Sequence, residues 1–331
     1  MNRATGGTQG TAPGATWTIT SAPDLMAQDL PDLHWVVWEL LCEGLVILAG
    51  KPKVGKSWLA LQVALAVALG RQALGYADVD AGDVLYLALE DTLRRLQDRL
   101  GKLLAPGDQP PANLDFVTEA PGLAAGLTQL IRDWLVRHPN GRLVVIDTLG
   151  RVAPQKGRGA DVYQADTTLM ANLQKLAKDH RVAVCVVHHQ RKAPADDHVD
   201  EVSGSAGLTG AADTILALVR KRGTAKAVLK VTGRDVETAE LTLDFLPARA
   251  WAIVGPGTGR LSPQRVKILE FLESQPGAAF TPKECAIGTG ISYDSIRHLL
   301  PKMAGESQIQ QVGQGRYAAL PRKSSSRSGL P

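Results

Sequence analysis

The stretch "GKPKVGKSWLALQ", residues 50–62, fits the pattern G-x-x-x-x-G-K-[ST] through Gly50, Gly55, Lys56 and Ser57. An apolar run, "LVILA", precedes it, and a helical pattern follows it with Leu61, Leu65 and Leu69 on one face. Strand, glycine-rich loop and helix in this order form a cradle, because inward-pointing backbone N–H groups and the positive end of the helix bind phosphate. The stretch therefore predicts a nucleotide triphosphate site.

Each position of the motif has a physical task. The lysine reaches the β- and γ-phosphates and the hydroxyl ligates magnesium. Lys56 and Ser57 are accordingly predicted to hold ATP and Mg²⁺. The predicted ATP-binding residues are Gly50, Lys51, Pro52, Lys53, Val54, Gly55, Lys56, Ser57 and Trp58.

Short apolar runs alternate with helical patterns from about residue 45 to 255. Five of them are rich in Val, Ile and Leu, which predicts strands of a buried, mainly parallel sheet: "LVILAG", "DVLYLALED", "LDFVTEA", "GRLVVIDTLG" and "RVAVCVVHHQ". The last three runs, "TILALVRKRG", "AVLKVTGRD" and "LTLDF", predict an antiparallel extension. The fold class is α/β.

Acidic residues stand where two predicted strands end. Asp147 closes "LVVID", and we predict that it lies near magnesium with Ser57 and Asp91. Glu90 closes "LYLALE" and is predicted to polarise the attacking water. The alternative is that these carboxylates only terminate strands, where exposed acidic residues cost nothing.

The Gly/Pro-rich stretch "GPGTGRLSP", residues 255–263, predicts a domain boundary. We predict a flexible leader (1–20), an α/β domain (21–255), a small domain (262–320) and a flexible tail (321–331). Three helices and a hairpin in the small domain predict a winged helix-turn-helix, whose third helix enters the major groove. Its predicted DNA contacts, which could equally be ordinary surface or a protein-docking face, are Tyr293, Ser295, Arg297, His298, Lys302 and Arg316.

Charge, cysteine spacing and hydropathy restrict the kinds of protein that this chain could be. The 331 residues carry a formal net charge of +4, which is compatible with nucleic acid but too mild to establish it. The three cysteines lack C-x-x-C spacing, which argues against a zinc site or a disulfide framework. No apolar stretch is long enough to span a membrane and no signal pattern opens the chain, so we expect a cytoplasmic protein.

Several ordered motifs together resemble one family. These are "GLVILAGKPKVGKSWLALQVALAVALG", "VLYLALEDT", "LVVIDTLGR", "VVHHQRK" and "SGSAGLTGAADTILAL". The region from about 45 to 255 is similar to the RecA-like ATPases of the AAA_25 group, which includes RepA-type hexameric replicative helicases. The resemblance implies that Glu90 is the catalytic base, Asp147 the Walker B aspartate and His189 a sensor of the γ-phosphate, with His188 beside it. A strand-end pair of hydrogen-bonding histidines is the alternative.

RecA-type sites lie between subunits, so the resemblance also implies a homo-oligomer, a hexameric ring, in which a neighbour donates a cation. RepA-like sequences often carry an arginine just before the "GS" stretch, where this chain has Ser203. Arg234 in "VTGRDVE" and Arg222 in "RKRG" are the remaining candidates. A solvated hairpin end is the alternative for each.

Two loops correspond to those that line the central channel in this superfamily and touch single-stranded DNA. The predicted contacts are Arg151, Lys156 and Arg158 in the first and Arg191 and Lys192 in the second, unless these are only polar mobile loops. The resemblance implies a DNA motor, a replicative helicase of a plasmid, phage or other mobile element. An ATP-switched DNA-binding regulator or loader, and a recombination or repair accessory that forms filaments, stay open.

Overall fold

The computed structural model describes residues 8–12, 15–153, 162–189, 210–236, 238–247, 249–254, 263–291, 293–305 and 307–320. The chain divides into two compact units, residues 1–33 and 34–331. No helix among these described residues is long and apolar enough to cross a membrane. Of the stretch 255–263, in which the boundary is predicted, residues 255–262 fall outside the described residues, so the predicted division there stays a prediction.

The first unit holds a small hairpin and one short helix. β1 (Thr8–Ala12) pairs antiparallel with β2 (Ala15–Ile19), in a segment for which the sequence predicts no structure. α1 (Ala22–Met26) follows, and the Ser21 side chain caps it by accepting a hydrogen bond from the backbone N–H of Asp24 at 3.2 Å. No residue of α1 is buried.

The second unit is built on one large sheet with helices on both faces. Its strands are β3 (Trp35–Val37), β4 (Leu41–Cys42), β5 (Gly44–Gly50), β6 (Asp83–Ala88), β7 (Leu114–Val117), β8 (Gly141–Asp147), β9 (Ala183–His189), β10 (Thr214–Arg220), β11 (Lys226–Gly233), β12 (Ala239–Phe245) and β13 (Trp251–Ile253). Its helices are α2 (Lys56–Leu69), α3 (Leu93–Leu103), α4 (Leu127–Arg137), α5 (Leu149–Val152) and α6 (Val162–His180).

Nine strands form the sheet in the order β13-β12-β11-β10-β5-β9-β8-β6-β7. All five strands predicted to be parallel are parallel, which confirms the α/β prediction. The prediction for "TILALVRKRG" was partly wrong. β10 pairs antiparallel with β11 on one side but parallel with β5 on the other, so it is the sixth parallel strand, and only β11 to β13 form the antiparallel extension.

Side chains of β5 alternate between the two faces of the sheet, as strand geometry requires. Leu45 and Ile47 belong to a buried apolar cluster with residues of α4 and α6, such as Ile131 and Leu173. Leu48 faces α2 and lines an apolar region with Leu59. Because both faces are covered, the loop between β5 and α2 is held at the carboxyl edge of the sheet.

The C-terminal part of this unit has three helices and a hairpin, as the sequence predicts. α7 (Pro263–Glu273), α8 (Pro282–Thr289) and α9 (Tyr293–Gly305) are followed by β14 (Gln310–Gly313), which pairs antiparallel with β15 (Arg316–Ala318). They share a buried apolar cluster that includes Ile268, Leu272, Ile296 and Leu300. α9 continues through Pro301 to Gly305.

A buried ion pair joins this C-terminal part to the loop after α2. Arg265 and Asp78 are only 1% and 4% exposed, and Arg265 Nε lies 3.2 Å from both carboxylate oxygens. Arg265 Nη1 also donates to Gln308 Oε1 at 2.8 Å. Nearby, Lys302 Nζ donates to the backbone carbonyl of Gly70, which caps the C-terminus of α2, at 3.1 Å.

We expect Arg265→Leu to destabilise the C-terminal helices, because it leaves the Asp78 carboxylate buried without its cation. Breaking a buried pair in this way costs about 3–5 kcal/mol. Hydrogen exchange of amides in α7 and α9 would measure the change in opening free energy. Arg71→Leu, which breaks the pair between exposed Arg71 and Asp108, is the matched control and should change little.

The double variant Arg265→Leu/Asp78→Leu should recover most of the lost stability, since an apolar pair leaves no buried charge. Unchanged exchange in Arg265→Leu, or no recovery in the double variant, would contradict this account of the contact.

Candidate functional site

The glycine-rich loop adopts a conformation that only glycine allows at its last position. Gly55 has φ +108°, and a Cβ added to it would lie 2.7 Å from Cζ2 of Trp251. A Cβ added to Gly50 would lie 2.6 Å from the carbonyl oxygen of Leu218 in β10. The loop is therefore packed against the sheet, with the N-terminus of α2 directly behind it.

Trp251 anchors this loop, and sequence reasoning missed it. Its indole Nε1 donates to the Gly55 carbonyl at 3.1 Å, while Gln62 exchanges two hydrogen bonds with its backbone at 2.7 and 2.8 Å. The Arg220 guanidinium lies over the indole, 5.2 Å from its centroid. The apolar stretch "AWAIV" gave no signal for this role.

Lys56 is buried at the start of α2 and is held by three acceptors. Its Nζ donates to the carbonyls of Gly50 at 2.7 Å and Lys51 at 3.0 Å, and lies 3.0 Å from Nδ1 of His189. Burial lowers the pKa of Lys56 to about 8, against the opposing charges of Asp147 and Glu90. An anionic ligand would favour the charged form of this amine.

Asp147 provides a carboxylate oxygen that suits a cation. Burial raises its pKa above the ordinary value, although the hydroxyls of Ser57 and Tyr86 lower it. Oδ2 accepts a hydrogen bond from the Tyr86 hydroxyl at 2.8 Å, whereas Oδ1 is buried with no hydrogen-bond partner among the described residues. An unpartnered buried carboxylate oxygen beside a serine hydroxyl matches the oxygen ligands that Mg²⁺ takes.

Glu90 stands just beyond β6, next to Asp147 and His189. Its Oε1 accepts a hydrogen bond from the Thr148 hydroxyl at 2.9 Å, and its Oε2 lies 3.8 Å from Nε2 of His189. Arg151 Nε is 4.0 Å from Oε1. The side chain of Glu90 is 45% exposed, so a water molecule can reach it.

These side chains meet because of the strand order. β5, β9, β8 and β6 are consecutive neighbours in the sheet, and all four run parallel. Their carboxyl ends therefore share one edge. His189 and Asp147 are the last residues of β9 and β8, while Lys56 and Glu90 follow the ends of β5 and β6. The grouping expected from chain order is present.

Asp91 is placed differently from its neighbour. Its carboxylate is only 7% exposed and pairs with Arg95, at 3.0 Å, and with Arg99. Arg99 also lies over the ring of Trp58, 5.4 Å from its centroid. Because two guanidinium groups already pair with the carboxylate of Asp91, it is less suited to bind a metal ion than the carboxylate of Asp147 is.

Arg234 and Arg222 lie at opposite edges of the sheet. Arg234 contacts Asp213 Oδ1 at 3.5 Å, and Asp213 Oδ2 accepts from the backbone N–H of Leu45 at the amino end of β5. The seven residues of β5 span about 20 Å, so Arg234 lies far from the loop of its own chain. Arg222 is in the turn after β10, at the carboxyl edge.

The predicted DNA contacts are only partly described. Lys156, Arg158, Arg191 and Lys192 lie outside the described residues, as does the side chain of His298. Arg151 is 62% exposed on α5. Tyr293, Ser295 and Arg297 are on α9, while Lys302 contacts Gly70 and Arg316 Nη1 donates to the Ala279 carbonyl at 2.8 Å.

Comparison with protein families places this site in a known group. The AAA_25 model, described as an AAA domain, matches residues 17–195. That range contains the glycine-rich loop, Glu90, Asp147 and His189.

Solved structures share the fold. A structure described as an ATPase domain matches with a TM-score of 0.50 and 16% identity, over 64% of this chain and 85% of that one. A structure described as a DnaB-like replicative helicase and its interactions with primase matches with a TM-score of 0.50 and 16% identity, over 64% of this chain and 57% of that one. The KaiC-like protein PH0186 from Pyrococcus horikoshii OT3 matches with a TM-score of 0.48 and 13% identity, over 66% and 94%. The two matches with a TM-score of 0.50 show that the fold is that of a RecA-like P-loop NTPase.

Proposed function

Because this chain belongs to the AAA_25 family of AAA domains, we propose that it is a Mg²⁺-dependent ATPase that works as a RecA-type DNA motor. The observation that carries the proposal is the meeting of a phosphate-loop lysine, a buried aspartate and an exposed glutamate at one edge of the sheet. Such a group supports phosphoryl transfer to water, which needs little covalent chemistry from the protein.

The residues divide the work in the proposed mechanism. Lys56 leaves the carbonyls of Gly50 and Lys51 and binds the β- and γ-phosphates, while the loop N–H groups cradle them. Ser57 and Asp147 would hold Mg²⁺, which would neutralise charge on the phosphate oxygens. Glu90 accepts the proton of the attacking water, and Thr148 orients its carboxylate.

His189 connects the phosphates to the chain that follows β9. It contacts Lys56 through Nδ1 and faces Glu90 through Nε2. When Lys56 turns to the phosphates, this contact is lost and the imidazole is free to meet the γ-phosphate. The predicted channel residues Arg191 and Lys192 follow His189 in the sequence, so we propose that nucleotide binding at His189 is coupled to DNA binding by these residues.

The proposed assembly is a homo-oligomeric ring, a hexamer by family resemblance, with sites between subunits. Arg234 is the first candidate for the cation that a neighbour would donate, since it lies too far from the loop of its own chain to serve it. Arg222 is the alternative. By family resemblance, the proposed motor is a replicative helicase of a plasmid, phage or other mobile element, and a DnaB-like replicative helicase is among the solved structures that share the fold.

The C-terminal part is proposed to be a winged helix-turn-helix domain that binds duplex DNA through Ser295, Arg297 and His298. Lys302 is less suited to this task than the sequence suggests, because it caps α2 through the Gly70 carbonyl. Arg316 is likewise tied to the Ala279 carbonyl.

Steady-state ATP hydrolysis with and without single-stranded DNA, together with mass photometry of the same sample, tests this function. We expect several-fold stimulation by DNA and a ring-sized species, with Lys56→Ala as the inactive control. Slow ATP hydrolysis that single-stranded DNA does not stimulate would instead indicate an ATP-switched regulator or loader. A broad series of long assemblies would indicate a filament-forming accessory of recombination or repair.

A further inference from the structure

Tyr86 is a buried residue whose hydroxyl contacts the carboxylate of Asp147 and the backbone of Ser57, the two residues proposed to hold magnesium. It lies on β6, is 1% exposed, and pairs with Val145 of β8 in the parallel register. Its hydroxyl donates to Oδ2 of Asp147 at 2.8 Å and lies 3.4 Å from the backbone carbonyl of Ser57.

The fold alone does not call for a hydroxyl at this position. The neighbours of Tyr86 along β6 are apolar and buried, and its ring packs against that of Phe116 with centroids 5.9 Å apart. A phenylalanine would fill the same volume without burying an oxygen. Burying a hydroxyl without a hydrogen bond destabilises the folded protein. Tyr86 is therefore tolerated at this position only if its hydrogen bond to Asp147 is kept.

The bond also makes the two oxygens of Asp147 unequal. Oδ2 is occupied by Tyr86, while Oδ1 has no hydrogen-bond partner in the described part of the chain. A carboxylate fixed by one oxygen presents the other in a single direction. Groups behind a metal ligand commonly set its orientation in this way.

We propose that Tyr86 is a positioning residue that fixes Asp147 relative to Ser57, so that Oδ1 is the oxygen directed at magnesium. This role rests on the proposed function, since it concerns the metal of the same site. It differs from the roles of Ser57 and Asp147 because Tyr86 acts only through them.

The test measures how much Mg²⁺ is needed to bind a fluorescent, non-hydrolysable ATP analogue, so no turnover is involved. In Tyr86→Phe the half-maximal Mg²⁺ concentration should rise about tenfold, in the range found for lost partners of metal ligands. Affinity for the analogue without Mg²⁺ should stay within about twofold of wild type, because the phosphate loop is unchanged. Tyr317→Phe, which alters a buried tyrosine of the C-terminal hairpin, is the matched control.

A double-variant cycle separates positioning from a general loss of packing. In an Asp147→Ala background, Tyr86→Phe should have no further effect on the Mg²⁺ requirement, because the oxygen that accepts its hydrogen bond is gone. An equal rise in both backgrounds, or a change within about twofold in the wild-type background, would overturn the proposed role.

The proposed function fails separately from this inference. If the wild-type protein binds no nucleotide, or binds it independently of Mg²⁺, the ATPase site itself is refuted. If Tyr86→Phe does not fold, 3-fluorotyrosine placed at position 86 retains ring and hydroxyl, and its ¹⁹F signal should shift when Mg²⁺ is added to the nucleotide complex. An unchanged signal there would overturn the inference.

Discussion

Arg234→Ala should lower ATP turnover of the assembled protein by about 10³- to 10⁵-fold, the range found when an arginine that reaches a neighbour's γ-phosphate is removed. Nucleotide binding should change little, because Arg234 lies at the amino end of β5 and the phosphate loop at its carboxyl end. Single-turnover phosphate release, measured at concentrations where the oligomer is intact, reports the effect.

Mixing two inactive variants tests whether the arginine acts between subunits. Arg234→Ala subunits keep an intact loop, and Lys56→Ala subunits keep an intact arginine, so neither works alone but each completes the other. At equal amounts, about a quarter of random head-to-tail contacts should regain both groups. Arg222→Ala is the matched control. If Arg222→Ala lost ATP turnover while Arg234→Ala kept it, Arg222 would be the arginine that acts between subunits.

Glu90→Gln should reduce turnover by about 10²- to 10⁴-fold while ATP still binds, because a general base is lost and a neutral group of the same shape remains. The amide oxygen can still accept the hydrogen bond from Thr148, which keeps the side chain in place. What it cannot do is take the proton of the attacking water.

Glu119→Gln is a suitable control for this substitution. Glu119 is an exposed glutamate that follows β7, the next strand after β6 at the edge of the sheet. Quenched-flow turnover and equilibrium binding of a nucleotide analogue should both be unchanged in it. Normal hydrolysis by Glu90→Gln would remove Glu90 from the catalytic role.

The parallel core of the fold follows from local patterns, since buried Val- and Leu-rich runs separated by helix-length segments have few other arrangements. β10 was misjudged because its hairpin with β11 is visible in the sequence, whereas its pairing with β5 joins residues about 168 positions apart. The local sequence of a strand does not show which strand it pairs with when the partner is so far away along the chain.

The site was predicted where polar residues stand at strand ends. Four site residues are polar and interrupt or end apolar runs, which makes them recognisable in the sequence: Lys56, Glu90, Asp147 and His189. Tyr86 and Trp251 were missed because aromatic residues inside apolar strands look like ordinary core. Their hydroxyl and indole N–H groups reveal a role only when Asp147 and Gly55 are beside them.

If Arg234 acts in a neighbour's site as proposed, its position at the edge of the sheet opposite to the phosphate loop determines how many sites an assembly can complete. Subunits that join head to tail either close on themselves or leave two ends. In a closed assembly every phosphate loop then meets an arginine of a neighbour. In an open assembly the subunit at one end has a phosphate loop that no arginine reaches. Turnover per subunit should therefore stay constant on dilution for a closed assembly until it breaks, but decline steadily for an open one as it shortens.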